Sequence, residues 1–377
     1  MTGPASTMEE LRRAAARDEF KIVSMCTNIG GFEMGAMRAG GRAVLANDIS
    51  TIALDIHRRN FPQTVRDSRN MQDIAASPAA TAAFLAQADL APGEIDCLTG
   101  GSPCNRISTL ARRHNLVRSP LDTKRLLFDL ANVIRYASPR TAIIENVAAL
   151  AELHPALLNA VLKVICYDDN GKRCFFAAPK ILCASHYAVP QVRRRTFIMV
   201  IRADRAEEVG ITTDEAVTGI FPDPVTPVPL TIRWALQGVH PTEQQLRPFW
   251  EAMMRGEVAD LVRQLPLDPD EIVGLPDRRS YFNLERCAWD IPALTLTARG
   301  LMPISLSGPL HPSFHRKFCI PEIVRLFGVP DDFDFGWSTA GEAAERLGLM
   351  VPPPMAEALF RAILERVLRP YRATMAA

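Results

Sequence analysis

The chain has little net charge, few cysteines and no long apolar run. Its 43 lysines and arginines are balanced by 42 aspartates and glutamates, so the net charge is +1 over 377 residues. Overall charge therefore gives no sign of a nucleic-acid partner. The distribution is less even, because residues 106–140 hold eight basic and two acidic side chains. This composition suits a loop that faces phosphates, although a solvated surface would share it.

The eight cysteines include no CxxC pair and no His/Cys cluster with metal-ligand spacing. We therefore predict no metal site. The sequence shows no cleavable signal segment and no apolar run that we expect to span a bilayer. Free cysteines without these signals favour a reducing cytoplasm and no membrane partner.

Strand and helix patterns alternate through the first 200 residues, and this alternation predicts an α/β fold with a doubly wound, mostly parallel sheet. A proline-rich composition begins near Ala203, where the alternation is lost. We therefore expect a smaller second domain. The predicted boundaries are 1–202 for a catalytic and cofactor-binding domain, 203–285 for a target-recognition domain, and 286–377 for a segment that returns to complete the first.

The central segment runs from Ile95 to Asn105, as a short apolar strand that ends in two glycines and a Pro-Cys pair. Pro103 cannot donate to a ladder, so the strand should stop there and present Cys104 on a loop. Open α/β sheets bind their ligands at this end of their strands. For any single cysteine, a buried structural role is the competing interpretation.

Two later segments place polar groups at the ends of predicted strands. One strand ends in Glu145 and Asn146, and another is opened by Gln191 and three arginines. Arg193 and Arg195 alternate along the chain, so we expect them on one face of a strand, opposite Arg194. A thiol, a carboxylic acid and guanidinium groups at one sheet edge suit nucleophilic attack on an electron-poor ring near phosphates.

The motifs GGSPCN, ENV and QVRRR, in this order, resemble those of the DNA cytosine-5 methyltransferases. The resemblance extends from about Phe20 to about Arg369. It implies the Rossmann-like fold of S-adenosylmethionine-dependent methyltransferases, with that molecule as cofactor and double-stranded DNA as partner. We also expect a monomer. The predicted catalytic residues are Cys104, Glu145, Arg193 and Arg195.

The resemblance also predicts where the cofactor and the substrate bind. The first strand, a glycine turn and a helix would hold the donor, although a dinucleotide-binding dehydrogenase would share that turn. The predicted cofactor-binding residues are Cys26, Asn28, Ile29, Gly30, Gly31, Asp48, Ile49, Asp73, Ile74, Pro103, Leu349 and Val351. Asp73 suits a helix cap equally well. The predicted substrate-binding residues are Ser102, Asn105, Arg106, Asn146 and Gln191.

The chain departs from the family pattern at three positions near the donor. Cys26 and Asn28 stand where the family has a phenylalanine and a glycine, and Leu349 replaces an asparagine. Asn105 in place of glutamine is a milder change. We therefore expect weak binding of S-adenosylmethionine, or a modified donor. A DNA-binding relative without turnover and an RNA methyltransferase are the alternative hypotheses.

Overall fold

The computed structural model describes residues 7–101, 120–275, 284–303, 305 and 307–370. The chain divides into two compact units. The first, called the sheet unit here, comprises residues 12–182, 194–223 and 356–377. The second, called the recognition unit, comprises residues 1–11, 183–193 and 224–355.

The secondary structure elements are numbered in chain order. The strands are β1 (Lys21–Met25), β2 (Arg42–Asn47), β3 (Val65–Asp67), β4 (Cys97–Gly101), β5 (Thr141–Val147), β6 (Phe175–Cys183), β7 (Arg194–Arg202), β8 (Val273–Gly274), β9 (Leu284–Arg286) and β10 (Gly308–Leu310). The α-helices are α1 (Met8–Ala15), α2 (Gly31–Ala39), α3 (Thr51–Asn60), α4 (Met71–Ile74), α5 (Pro78–Leu85), α6 (Pro120–Ala137), α7 (Ala149–Leu153), α8 (Pro155–Cys166), α9 (Ala203–Glu208), α10 (Asp214–Thr218), α11 (Ile232–Ala235), α12 (Glu243–Glu251), α13 (Gly256–Arg263), α14 (Ala298–Leu301), α15 (Ile320–Phe327), α16 (Ala340–Leu349) and α17 (Pro353–Ile363).

Seven strands form the main sheet in the order β3-β2-β1-β4-β5-β7-β6. Strands β1 to β5 pair in parallel with their neighbours, whereas β7 is antiparallel to β5. The chain builds outward from β1 to β3 and then returns to place β4 on the other side of β1. This reversal is a topological switch point, where open α/β sheets bind ligands. The predicted doubly wound, mostly parallel sheet is confirmed.

The core of the sheet unit lies between the sheet and its helices. Strand β1 is buried at four of its five residues, as expected for a parallel strand covered on both faces. Helix α6 places Leu127, Leu130 and Ile134 against this core, each at most 1% exposed. Their spacing of three and four residues is the apolar stripe of an amphipathic helix.

The turn after β1 requires an unusual backbone. Gly30 has φ +95°, and a Cβ there would lie 2.2 Å from Cε2 of Phe61. Cys26 and Asn28 also have positive φ, each at +52°. Asparagine tolerates this left-handed conformation better than cysteine does, because its short polar side chain can bond locally. The turn therefore holds strain at two positions that carry side chains.

The recognition unit extends beyond the predicted second domain of 203–285. It includes residues 183–193, because Gln191 and Arg193 are bonded to segments around Leu296, Leu326 and Gly348. Residues 203–223 instead belong to the sheet unit. Strands β8 to β10 form a small separate sheet, with its own apolar cluster that includes Leu284 and Leu310.

The stretch Ala340–Leu368 is long and apolar enough to cross a membrane by length and composition, which the sequence analysis did not expect. However, 78% of its most apolar window is buried inside the protein. Burial of this kind is the ordinary situation of a core helix.

Replacing Gly30 with alanine should destabilise the sheet unit by about 2 kcal/mol or more, since strain at positive φ adds to a steric clash. Gly171→Ala is the matched control, because Gly171 has φ +77° with no atom within 4 Å of the added Cβ. Chemical denaturation would compare the two variants. Equal losses of stability would contradict the close contact with Phe61.

Candidate active site

The carboxyl ends of β4 and β5 bring Gly101 beside Glu145. The two residues are partners in the parallel register, and a Cβ at Gly101 would lie 3.4 Å from Oε2 of Glu145. Glycine at this position leaves that side of the carboxylate open. Cys104 follows three residues later in the sequence. Ser102, Pro103, Cys104, Asn105 and Arg106 lie outside the described residues.

Arg195 forms an ion pair with the carboxylate of Glu145. Its Nε lies 2.9 Å from Oε1 of Glu145, and both side chains are 13% exposed. The antiparallel pairing of β5 and β7 sets this contact, because Arg195 is the partner of Val147. Arg194 points elsewhere and pairs with the exposed Glu152 at 2.7 Å. Arg195 therefore holds the carboxylate in place, because alternation along β7 turns Arg195, and not Arg194, towards Glu145.

Arg193 precedes β7 and is 2% exposed. Burial still alternates along this stretch, because Arg194 is exposed and Arg195 is half-buried. Its guanidinium donates to the backbone oxygens of Leu296, Gly348 and Met350 at 3.0, 3.1 and 3.2 Å. The hydrogen bonds of Arg193 are thus made within the recognition unit, and its predicted catalytic role stays a prediction.

Gln191, like Arg193, is buried and hydrogen-bonded within the recognition unit. Its side chain is fully buried, accepts from the backbone N–H of Leu296 at 3.0 Å and donates to the oxygen of Leu326 at 3.5 Å. Its predicted contact with substrate stays a prediction. Asn146 is 2% exposed, and its Oδ1 accepts from the backbone N–H of Val147 at 2.9 Å. A substrate contact by Asn146 stays a prediction.

A cleft of about 360 Å³ opens at the carboxyl ends of β1 and β2. Its volume lies within the range of small-molecule sites. The residues that line it come from the first turn, the end of β2, the segment before and within α4, and helix α6. They are Cys26, Asn47, Asp48, Ile49, Arg69, Asn70, Met71, Gln72, Arg125, Leu126 and Asp129.

Asp48 fixes the geometry of the first turn. Its Oδ2 accepts from the backbone N–H of Asn28 and its Oδ1 from that of Ser50, both at 2.8 Å. Cys26 lies in the same cleft, where burial and, second, the charge of Asp48 raise the pKa of its thiol to about 12. The thiol is therefore protonated at neutral pH and is a neutral lining group, not a nucleophile.

Several other described cysteines are protonated for the same reason. Burial is the main cause that raises the pKa of Cys97, Cys166, Cys287 and Cys319 to about 12. Buried thiols in such surroundings are chemically inert. No group of three or more potential metal ligands occurs among the described residues.

Not all predicted cofactor residues reach the cleft. Ile49 lines it and is 69% exposed, whereas the side chains of Ile29 and Ile74 are completely buried. Asp73 is exposed in the first turn of α4, and its predicted contact with the cofactor stays a prediction. Asn70, not Asp73, caps this helix by accepting from the N–H of Gln72.

Leu349 and Val351 belong to the recognition unit. Leu349 is 42% exposed and Val351 is 7% exposed. Their predicted contacts with the cofactor stay predictions.

Helix α6 also contributes to the cleft, which was not predicted from the sequence. Asp129 is 9% exposed, and its Oδ2 lies 3.9 Å from Nε of Arg125. Burial raises the pKa of Asp129 above its ordinary value, and Arg125 opposes this shift. The signal was present in the sequence as a carboxylate that interrupts the apolar face of an amphipathic helix.

Arg69 enters the cleft because Asp67 holds it. Nε of Arg69 donates to Oδ2 of Asp67 at 2.7 Å, and Gln87 donates to the same oxygen at 2.8 Å. Burial alone would raise the pKa of Asp67, but the hydrogen bonds from Gln87 and Arg69 keep it below its ordinary value. An ionised Asp67 therefore anchors one wall of the cleft.

A family model of C-5 cytosine-specific DNA methylases matches residues 20–242 and 279–365. M.SacI, a Type II methyltransferase of Streptomyces achromogenes, is 28% identical over 352 residues, which cover 86% of this chain and 85% of M.SacI. M.HpaII of Haemophilus parainfluenzae, also a Type II methyltransferase, is 23% identical over 365 residues, which cover 93% of this chain and 91% of M.HpaII.

Solved structures of low identity share the fold. A prophage-encoded DNA modification methyltransferase of E. coli superposes with a TM-score of 0.65 at 19% identity, covering 92% of this chain and 99% of its own. A DNMT2 variant of Spodoptera frugiperda gives a TM-score of 0.60 at 14% identity, covering 91% and 99%. The sheet and the matched family define a DNA methyltransferase. The chain belongs to the cytosine-5 family, so the base that it methylates is cytosine, at C5.

Replacing Asp129 with asparagine should stabilise the protein at neutral pH, since a buried charge is removed. A carboxyl whose pKa is raised on folding stabilises the fold most when protonated, and this contribution is lost as the pH rises through the folded pKa. The gain in stability of Asp129→Asn over the wild-type protein should therefore shrink as the pH falls. Urea denaturation at pH 8 and pH 5 would measure it.

The matched variant Arg125→Gln should lower stability at pH 8, because it removes the cation that offsets the Asp129 charge. A loss of stability in Asp129→Asn at pH 8 would show that the ionised carboxylate makes a bond that the fold needs.

Proposed function

We propose that this methyltransferase uses S-adenosylmethionine as donor and a base flipped out of double-stranded DNA as substrate, with Cys104 as nucleophile. Glu145 would donate a proton to the ring, and Arg195 would hold Glu145 in position. The observation that carries the assignment is the Arg195–Glu145 ion pair beside Gly101, three residues before Cys104.

Cytosine C5 is a weak nucleophile, so the ring must first be activated. Addition of the Cys104 thiolate at C6 breaks aromaticity, and protonation at N3 by Glu145 neutralises the charge that develops. C5 then has enamine character and would take the methyl group from the sulfonium sulfur of the donor, whose S–CH3 bond breaks so that S-adenosylhomocysteine leaves as a neutral thioether. Loss of the C5 proton to water and β-elimination of the thiolate restore the ring and free Cys104.

The cleft at the ends of β1 and β2 fits the donor. A carboxylate at the end of a second strand suits hydrogen bonds to ribose hydroxyls, and Asp48 occupies that position. The exposed side chain of Ile49 offers an apolar surface to the adenine ring. When bound there, S-adenosylmethionine supplies the methyl group.

The biological setting follows from the named relatives. M.SacI and M.HpaII are Type II methyltransferases. By analogy, the chain would protect DNA in a restriction-modification system in the cytoplasm. Its substrate base must leave the duplex, at a cost on the order of a few kcal/mol.

Duplex DNA that contains 5-fluorocytosine should trap the protein covalently in the presence of the donor, since fluorine at C5 blocks elimination. Cys104→Ser should abolish the adduct, and Glu145→Gln should slow its formation by roughly 100-fold or more. Glu152→Gln is the matched control, because Glu152 also pairs with an arginine of β7 but is exposed. Gel electrophoresis after denaturation measures the adduct.

Unequal results on DNA and RNA separate the substrate classes. An adduct on RNA alone would favour the RNA methyltransferase, and no adduct on either would favour a binding protein without turnover. Equal rates for Glu145→Gln and Glu152→Gln would remove Glu145 from the mechanism.

Calorimetry should show that S-adenosylmethionine binds with an affinity weaker than micromolar, because Cys26 provides no aromatic face. S-adenosylhomocysteine provides the comparison, since it lacks the methyl group and the positive charge at sulfur. Asn28→Gly is the control variant, because glycine accepts φ +52° without strain. Micromolar affinity for the natural donor would contradict this expectation.

A further inference from the structure

Lys317 is a fully buried lysine, and among the described residues its Nζ is bonded only to backbone oxygens; burial lowers its pKa to about 7. Its Nζ donates to the carbonyls of Gly300 at 2.6 Å, Met302 at 3.1 Å and Ser307 at 2.8 Å. An ammonium group has three protons, so all three are used. A buried charge is costly unless it is fully hydrogen-bonded, and this geometry therefore fixes the three carbonyls together.

The described residues from 297 to 308 (297–303, 305, 307 and 308), called the anchored segment here, are held by a close approach of Gly308 to Gly300. Gly308 has φ +100°, and a Cβ there would lie 2.5 Å from the oxygen of Gly300. Oγ1 of Thr297 accepts from the N–H of Gly300 at 3.1 Å and caps helix α14. A Cβ at Gly348 would lie 2.3 Å from the backbone nitrogen of Ala298. The anchored segment is thus held by contacts on both sides.

Arg299 is the exposed side chain that this segment presents. Among the described residues, it makes no hydrogen bond and no ion pair. The other exposed or partly exposed arginines described in the recognition unit all have carboxylate partners. These pairs are Arg233–Asp290, Arg247–Glu251, Arg255–Glu251, Arg263–Asp260, Arg325–Asp331 and Arg346–Glu345.

We propose that Lys317 is a positioning residue for DNA binding, which fixes the anchored segment so that Arg299 contacts a phosphate of the duplex. This inference rests on the proposed DNA substrate. It adds a contact outside the Cys104, Glu145 and Arg195 machinery.

The electrostatics of the chain support a phosphate as the partner of Arg299. The net charge is only +1, so attraction to DNA must come from local cations. An arginine beside a carboxylate is already neutralised and gains little from a phosphate. Arg299 has no such neighbour among the described residues, and its guanidinium geometry suits bidentate bonds to phosphate oxygens.

Fluorescence anisotropy with a labelled 24-bp duplex of randomised sequence would test the contact between 50 and 200 mM salt. Loss of one phosphate contact should lower the slope of log affinity against log salt by about 0.9 and weaken binding to all sequences alike. We expect this result for Arg299→Gln. Arg247→Gln, which removes a paired arginine, should leave the slope unchanged.

The role of Lys317 is tested by comparing the single variants at Lys317 and Arg299 with the double variant. Lys317→Met should lower the salt slope by a similar amount, and adding Arg299→Gln in that background should change it no further. A purely structural role would lower thermal stability but leave the effect of Arg299→Gln intact. Thr297→Val, which removes only the cap of the same segment, replaces Lys317→Met if that variant does not fold.

The outcomes separate this inference from the proposed function. If the wild-type protein binds the duplex and is trapped on 5-fluorocytosine, but Arg299→Gln keeps its salt slope, the inference is overturned and the function stands. Additive effects of Lys317→Met and Arg299→Gln overturn the positioning role alone. Absence of any wild-type binding or trapping on DNA overturns both.

Discussion

The antiparallel pairing of β7 with β5 is the constraint on which the candidate active site depends. Strands β1 to β5 are parallel, so their carboxyl ends meet at one edge of the sheet. Because β7 runs the other way, its first residues reach that edge instead of its last. This reversal brings Arg195 to the carboxylate of Glu145, and a parallel β7 would have carried it to the opposite edge.

The sheet and the Glu145 position were predictable, because long apolar strands and their polar ends are local signals. Alternation correctly separated Arg194 from Arg195, since both lie within β7. The same alternation of burial extends to Arg193, which is buried although it lies before the strand. A run of three arginines does not reveal where a strand begins, nor that the first of them is bonded to distant carbonyls.

The donor cleft and the recognition unit were less predictable, because both depend on contacts between distant segments. Asp73 has the residue type expected for an adenine contact and is exposed in the first turn of α4, where Asn70 and not Asp73 is the cap. Asp129 lies on a helix that the sequence explained by its apolar face alone. Gln191 joined the recognition unit through bonds to residues more than 100 positions away.

Burial of the thiols has a practical consequence for chemical labelling. Five of the seven described cysteines are held in the unreactive, protonated form near neutrality, with pKa values of about 12. An electrophile such as iodoacetamide, applied to the native protein, would thus find few reactive thiols among the described residues, chiefly Cys174 and Cys183. Labelling of Cys104, the proposed nucleophile, would therefore meet little competition from the described thiols.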